Sequence, residues 1–233
     1  MDVGGVGFDL DHTLMIDNKL ERVAFLRLLE FLLEIGGRAL GSIFDEGNRI
    51  DALLAEQRSG AFSIDAAVAR FVAERGVEPA PEHAERFRAM ACEMVAQFVV
   101  PLPGVRATLA ALRRRGIAVA VLSNGWNPLQ VLKAQRAGFE GPVIASADVG
   151  QQKPGARAFE ALMRALGTRP QDTWYVGDDP RGDVEGARAI GMHAVWIDDE
   201  NKAYPPELLP APYTIHSLPE LLDILPATQT VTP

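Results

Sequence analysis

The 233-residue chain has one cysteine, Cys92, so no disulfide can form within it and its core alone must hold the fold. It has no long charge-free apolar run. The best candidate, FLRLLEFLLEIGG, is broken by Arg27, Glu30 and Glu34, which excludes a membrane span there. Basic residues are in the minority, 23 against 31 acidic, for a formal charge of -8. A field of that sign repels phosphate backbones and argues against nucleic acid as the main partner. No Cys/His cluster with zinc spacing occurs. Gly4, Gly5 and Gly7 are not followed by Gly-Lys-Ser/Thr, so they read as tight strand packing rather than a phosphate loop. The opening MDVGGVGFDL does not resemble a secretory leader, and with the lone cysteine the expectation is a cytoplasmic protein. What is present is ordinary for a globular chain, 48% apolar and 23% charged residues.

Two patterns alternate along the chain. Val3–Phe8 is short, apolar and glycine-rich, and ends abruptly at Asp9 and Asp11, as a buried strand running into a polar loop does. From about Asp17 to Val100 apolar residues recur at helical spacing. Leu20, Val23, Leu26 and Leu28 with Phe31 and Leu32 mark one helix, and Ile43–Gln57, Ile64–Arg75 and Pro81–Phe98 mark three more. Ser63 suits an N-cap and Gly76 a helix stop. No strand is expected in this block. Strands return after Pro103, at Ile117–Leu122, Pro142–Ala145, Thr173–Val176 and His193–Ile197. They alternate with helices at Val105–Arg115, Pro128–Ala137, Gly155–Leu166 and Asp183–Ile190, and Thr214–Leu225 adds a last short strand and helix. Such alternation implies right-handed crossovers and a parallel sheet. The expected fold is α/β, a Rossmann-like parallel sheet core over 1–16 and 100–225. An all-helical block at 17–99 is inserted in it, and a flexible tail follows at 226–233.

In an open parallel sheet, ligands bind beyond the carboxyl ends of the strands. Four strand ends here carry polar clusters: Asp9-Leu10-Asp11-His12-Thr13, Ser123-Asn124-Gly125, Lys153-Pro154, and Gly177-Asp178-Asp179 with Asp183 beyond. Each alone suits a turn or a cap as well; together they gather carboxylates, a hydroxyl and an ammonium on one rim. So much acid calls for a cation, and oxygen-only ligands favour Mg²⁺. An aspartate pair, a hydroxyl and a lysine around Mg²⁺ suit phosphoryl transfer. Asp9, the first polar residue off the strand, is the candidate nucleophile. Asp11 is placed to protonate the leaving oxygen and later activate water. Ser123, Asn124, Gly125 and Lys153 are the candidate phosphate-binding groups. The candidate metal ligands are Asp9, Asp11 and Asp178, with Asp183 or Asp179 assisting directly or through water.

The run Phe8-Asp9-Leu10-Asp11-His12-Thr13-Leu14 resembles the first motif of the haloacid dehalogenase-like superfamily. Ser123-Asn124-Gly125 resembles its second motif, Lys153-Pro154 its third, and Gly177-Asp178-Asp179 through Asp183 its fourth, all in the family's order. The helical block is similar to the family's inserted cap. The resemblance implies a Rossmann-like core, Mg²⁺, and phosphatase activity on small phosphorylated molecules. Hydrolytic dehalogenases generally lack the second acid of the first motif, so Asp11 points to phosphate esters. Phosphonate-cleaving relatives use a cap lysine, whereas the block here has only Lys19, beside the hinge. His12 stands where relatives commonly carry Gly. The expectation is therefore a Mg²⁺-dependent phosphohydrolase that cleaves a small phosphate monoester through an aspartyl-phosphate on Asp9, with Asp11, Ser123 and Lys153 assisting. A sugar-phosphate phosphomutase and a non-catalytic phosphate-binding relative are the alternatives. A small phosphorylated metabolite is the expected partner, with neither nucleic acid nor membrane. Hinges are expected at Met15–Lys19 and Val99–Pro103. Asn18, Arg22, Arg49, Arg58, Ser59 and Phe62 are candidates for substrate selection.

Overall fold

A computed structural model describes residues 3–198 and 202–226. In chain order the first elements are β1 (Gly5–Phe8), β2 (Met15–Ile16), α1 (Leu20–Glu34), α2 (Ile43–Arg58), α3 (Ile64–Glu74), α4 (Pro81–Phe98), β3 (Val100–Pro101), α5 (Val105–Arg114) and β4 (Ala118–Ser123). They are followed by α6 (Leu129–Ala137), β5 (Val143–Ala145), α7 (Ser146–Val149), α8 (Ala156–Leu166), β6 (Thr173–Gly177), α9 (Gly186–Ala189), β7 (His193–Ile197), β8 (Tyr213–Ile215) and α10 (Leu221–Ile224). The chain separates into two units, Met1–Ile16 with Val100–Pro233, and Asp17–Val99. Residues 227–233, most of the expected flexible tail, lie outside the described residues.

The first unit is built on a six-stranded sheet in the order β5-β4-β1-β6-β7-β8. Every pairing in it is parallel. The strands are short, and the central β1 and β6 are buried along their whole length, as a sheet covered on both faces requires. β1 lies between β4 and β6 with Phe8 opposite both Val121 and Val176, so the chain leaves these three strands at one edge. Phe159 and Leu162 of α8 pack with Ala120, Leu122 and Tyr175 in the core of one face. Gly7 makes the close approach possible: a Cβ there would lie 2.4 Å from Leu162 Cδ2 and 2.8 Å from Tyr175 Cδ2.

Two features differ from the sequence expectations. Met15–Ile16 and Val100–Pro101 form a two-stranded antiparallel ribbon with Ile16 opposite Val100, at the segments expected to act as hinges. Two residues a side are too few for an alternation pattern to register. The helix expected over Asp183–Ile190 is instead a π-helical turn, Pro180–Glu185, running into the short α9. π-turns concentrate at functional sites, and this one carries Asp183.

The second unit holds α1 to α4. Phe25 meets Phe71 and Phe87 with ring centroids 4.9 and 4.4 Å apart. Ser63 caps α3, accepting a hydrogen bond from the Ala66 N–H at 3.2 Å. Arg75 and Glu46 are buried as an ion pair, with the guanidinium 3.4 Å from the Phe71 ring centroid. Cys92 is half-buried, and burial raises its thiol pKa.

Candidate active site

The carboxyl end of β1 releases Asp9, whose N–H bonds to the Val176 carbonyl of β6 at 2.8 Å. The carboxyl end of β6 releases Asp178, and the following turn brings back Asp183. Ligand oxygens of Asp9, Asp178 and Asp183 lie within 4.8 Å of one another. Gly177 makes room for the third: a Cβ at that position would sit 2.2 Å from Asp183 Oδ2. The trio is fixed by the backbone. The Asp179 N–H donates to Asp183 Oδ2 at 3.0 Å, and the Trp196 indole N–H donates to the Asp178 carbonyl at 3.0 Å.

Lys153 enters the same cluster, its Nζ 2.5 Å from Asp9 Oδ1, 2.6 Å from Asp183 Oδ1 and 3.1 Å from the Tyr175 hydroxyl. Burial alone lowers an ammonium pKa, but Asp183 and Asp9 beside it outweigh that and hold Lys153 well above its usual range. One ammonium does not balance three carboxylates. Burial, with Asp183 and Asp11 nearby, overcomes Lys153 and pushes Asp9 up to about 7. Burial, with Asp9 and Asp183, pushes Asp178 up to about 8. A carboxylate cluster in which Asp9 and Asp178 cling to protons near neutral pH lacks positive charge, and its oxygen donors fit a hard divalent cation.

The other expected site residues divide by what they touch. The Asp11 carboxylate lies outside the trio and is held by Lys133 Nζ at 2.6 and 2.9 Å. Asp179 is exposed and caps the π-turn, its Oδ1 accepting from the Arg181 N–H at 2.9 Å, so Asp183 is the fourth-motif partner of Asp178. Ser123 is buried and accepts from Gln130 Nε2 at 3.0 Å, leaving its own O–H to donate elsewhere. The Asn124 side chain clamps Lys153. Its Nδ2 donates to the Lys153 carbonyl at 3.2 Å while its Oδ1 accepts the Lys153 N–H at 2.8 Å. The Gly125 N–H donates to Ser146 Oγ at 3.2 Å.

The sequence matches the haloacid dehalogenase-like hydrolases over residues 3–191. The chain belongs to that family. It is similar to a phosphoserine phosphatase of Thermus thermophilus, 41% identical over 46% of this chain and 45% of the relative. It is also similar to a glyceraldehyde 3-phosphate phosphatase of Pyrococcus furiosus, 30% identical over 55% of each. The chain thus spans about half the length of these curated relatives. A solved HAD phosphatase from Thermococcus onnurineus superposes with a TM-score of 0.71 at 25% identity, covering 99% of this chain and 100% of that one. Among the described residues no helix is long and apolar enough to cross a membrane.

Sequence reasoning missed Lys133, Gln130 and Tyr175 in this haloacid dehalogenase-like core. The first two carried a readable signal, since they interrupt the buried face that Leu129, Ala134 and Ala137 mark on α6. Tyr175 carried none; in a strand of apolar residues its hydroxyl has no visible target. Of the helical-block candidates, Asn18 donates to the Phe98 carbonyl at 2.7 Å, Arg22 pairs with Asp51 at 3.0 Å, and Ser59 donates to the Glu56 carbonyl at 2.7 Å.

Proposed function

We propose that the chain is a Mg²⁺-dependent phosphohydrolase that cleaves small phosphate monoesters through an aspartyl-phosphate on Asp9. The observation that carries this reading is the meeting of Asp9, Asp178, Asp183 and Lys153 at the carboxyl ends of β1 and β6. Asp9, Asp178 and Asp183 would hold the ion, which when bound supplies positive charge to the phosphoryl oxygens. Lys153 fixes Asp9 through Oδ1 and leaves Oδ2 as the attacking atom. In the first step Asp9 Oδ2 bonds to phosphorus, the ester P–O bond breaks, and the leaving oxygen takes a proton from Asp11. In the second a water oxygen bonds to phosphorus and passes a proton to the Asp11 carboxylate. The bond from Asp9 to phosphorus breaks, freeing phosphate and restoring Asp9. The Ser123 hydroxyl and Lys153 ammonium hold non-bridging oxygens through both steps.

Support for a phosphate ester comes from Asp11, since a halide leaves without needing a proton. The relatives named for phosphoserine and glyceraldehyde 3-phosphate share the class of substrate proposed here, a phosphate on a small alkyl alcohol. The core supplies groups for the phosphoryl moiety only, so we assign substrate choice to the helical unit 17–99, as a cap. The test is release of inorganic phosphate from p-nitrophenyl phosphate and phosphoserine, with Mg²⁺ and with EDTA. Chelation is expected to abolish turnover, and Asp9→Asn to lower it by about 10³-fold or more, in keeping with loss of a covalent nucleophile. Undiminished turnover by Asp9→Asn overturns the mechanism.

A further inference from the structure

Lys133 is out of place by the ordinary rules of burial. Its side chain is 3% exposed, on the inner face of α6 beside Leu129, Ala134 and Ala137, where an apolar residue would pack without having to desolvate a charge. Its Nζ reaches both oxygens of Asp11, at 2.6 and 2.9 Å, and the Asp11 side chain is 31% exposed. One partner is therefore sealed in the core while the other faces outward. A pair serving the fold alone gains nothing from this asymmetry; a buried ammonium anchoring a carboxylate that has work at the surface does. We infer that Lys133 is a positioning residue for proton transfer by Asp11.

The inference rests on the proposed role of Asp11. As the ester P–O bond breaks, the proton moves from Asp11 to the leaving oxygen and the carboxyl group acquires negative charge. The Lys133 ammonium already lies against both oxygens and takes up that charge without rearranging. It also keeps the carboxylate from swinging into the trio around Asp9. Gln130, one turn earlier on the same face, holds Ser123 in the same manner, so α6 braces two of the four strand-end motifs.

The consequence depends on the leaving group. A nitrophenolate departs with little need of a proton, whereas the alkoxide of a serine ester needs one. In the full chain, Lys133→Met is expected to lower kcat on phosphoserine by about 10–100-fold, a part of the 10²–10⁴-fold that general acid–base catalysis contributes. The fall on p-nitrophenyl phosphate is expected to be about tenfold smaller, with KM for each ester little changed. Lys133→Arg, which keeps the charge, is expected to recover most of the loss. In an Asp11→Asn background Lys133→Met is expected to add no further leaving-group dependence. Should Lys133→Met fail to fold, Lys133→Gln carries the same comparison. Equal losses on the two esters, or a loss that persists undiminished in the Asp11→Asn background, overturn the inference. Absence of phosphate release by the wild-type chain, or full activity of Asp9→Asn, instead overturns the reading on which it rests.

Discussion

His12 adopts φ 58°, left-handed backbone that L residues other than Gly, Asn, Asp and His rarely enter. It sits between Asp11 and Thr13, where the chain must turn sharply after β1, and its N–H donates to the Met15 carbonyl at 2.7 Å. A β-branched side chain is poorly tolerated in that conformation. His12→Val is expected to lower stability by about 1–2 kcal/mol while His12→Asn does not, as measured by urea unfolding. At this scale sequence reasoning reached the acidic residues and Lys153 because each lies in the polar stretch that follows a strand, a place that chain order reveals, although α7 intervenes before Lys153 and Asp183 sits within the π-turn. It did not reach their hydrogen-bond partners. A sequence records that Asn124 stands near a strand end, not that both polar atoms of its side chain are taken by the Lys153 backbone. The lysine of the third motif is thus held by the asparagine of the second.

Among the elements, the helices were the most legible, since the burial of one stripe per helix imposes the period that betrays it. α3 shows how local that information is. Ser63 precedes the first apolar residue, and its hydroxyl accepts from the Ala66 N–H, one of the donors a helix start leaves unmatched. Ser63→Ala is expected to cost about 1 kcal/mol, read as a lower urea midpoint at unchanged slope. The elements that escaped reading are those whose cause is tertiary. The ribbon of β2 and β3 exists only because two distant segments meet. The π-turn at Pro180–Glu185 departs from the helix that its apolar spacing suggested, and Asp183, which it carries, is held by the Asp179 N–H and Lys153.

For the whole molecule, the acidic trio links stability to pH. Asp9 and Asp178 are pushed up to about 7 and about 8, chiefly by burial, above the ordinary carboxylate range. An acid with a raised folded-state pKa favours the fold while protonated, and that contribution is lost as pH rises through the folded value. Metal-free protein is therefore expected to lose stability progressively between about pH 4, where the unfolded carboxyls ionise, and about pH 8, where the folded ones have done so. A divalent cation replaces the departing protons, so the Tm difference between Mg²⁺ and EDTA samples is expected to widen over the same interval by about 5 °C or more. Thermal melts at stepped pH check this, and a difference constant with pH would count against the trio as the metal site. The parallel sheet followed from strand–helix alternation and the crossover rule; the burial that sets these proton affinities did not. The ribbon has its own consequence. Ile16 and Val100 face each other across it, so from the standpoint of strand register everything between them amounts to one long hairpin loop. Loop closure grows only slowly with length. Descendants of such a chain are free to lengthen, shorten or exchange the insert, while the sheet that carries the acidic trio is passed on unaltered.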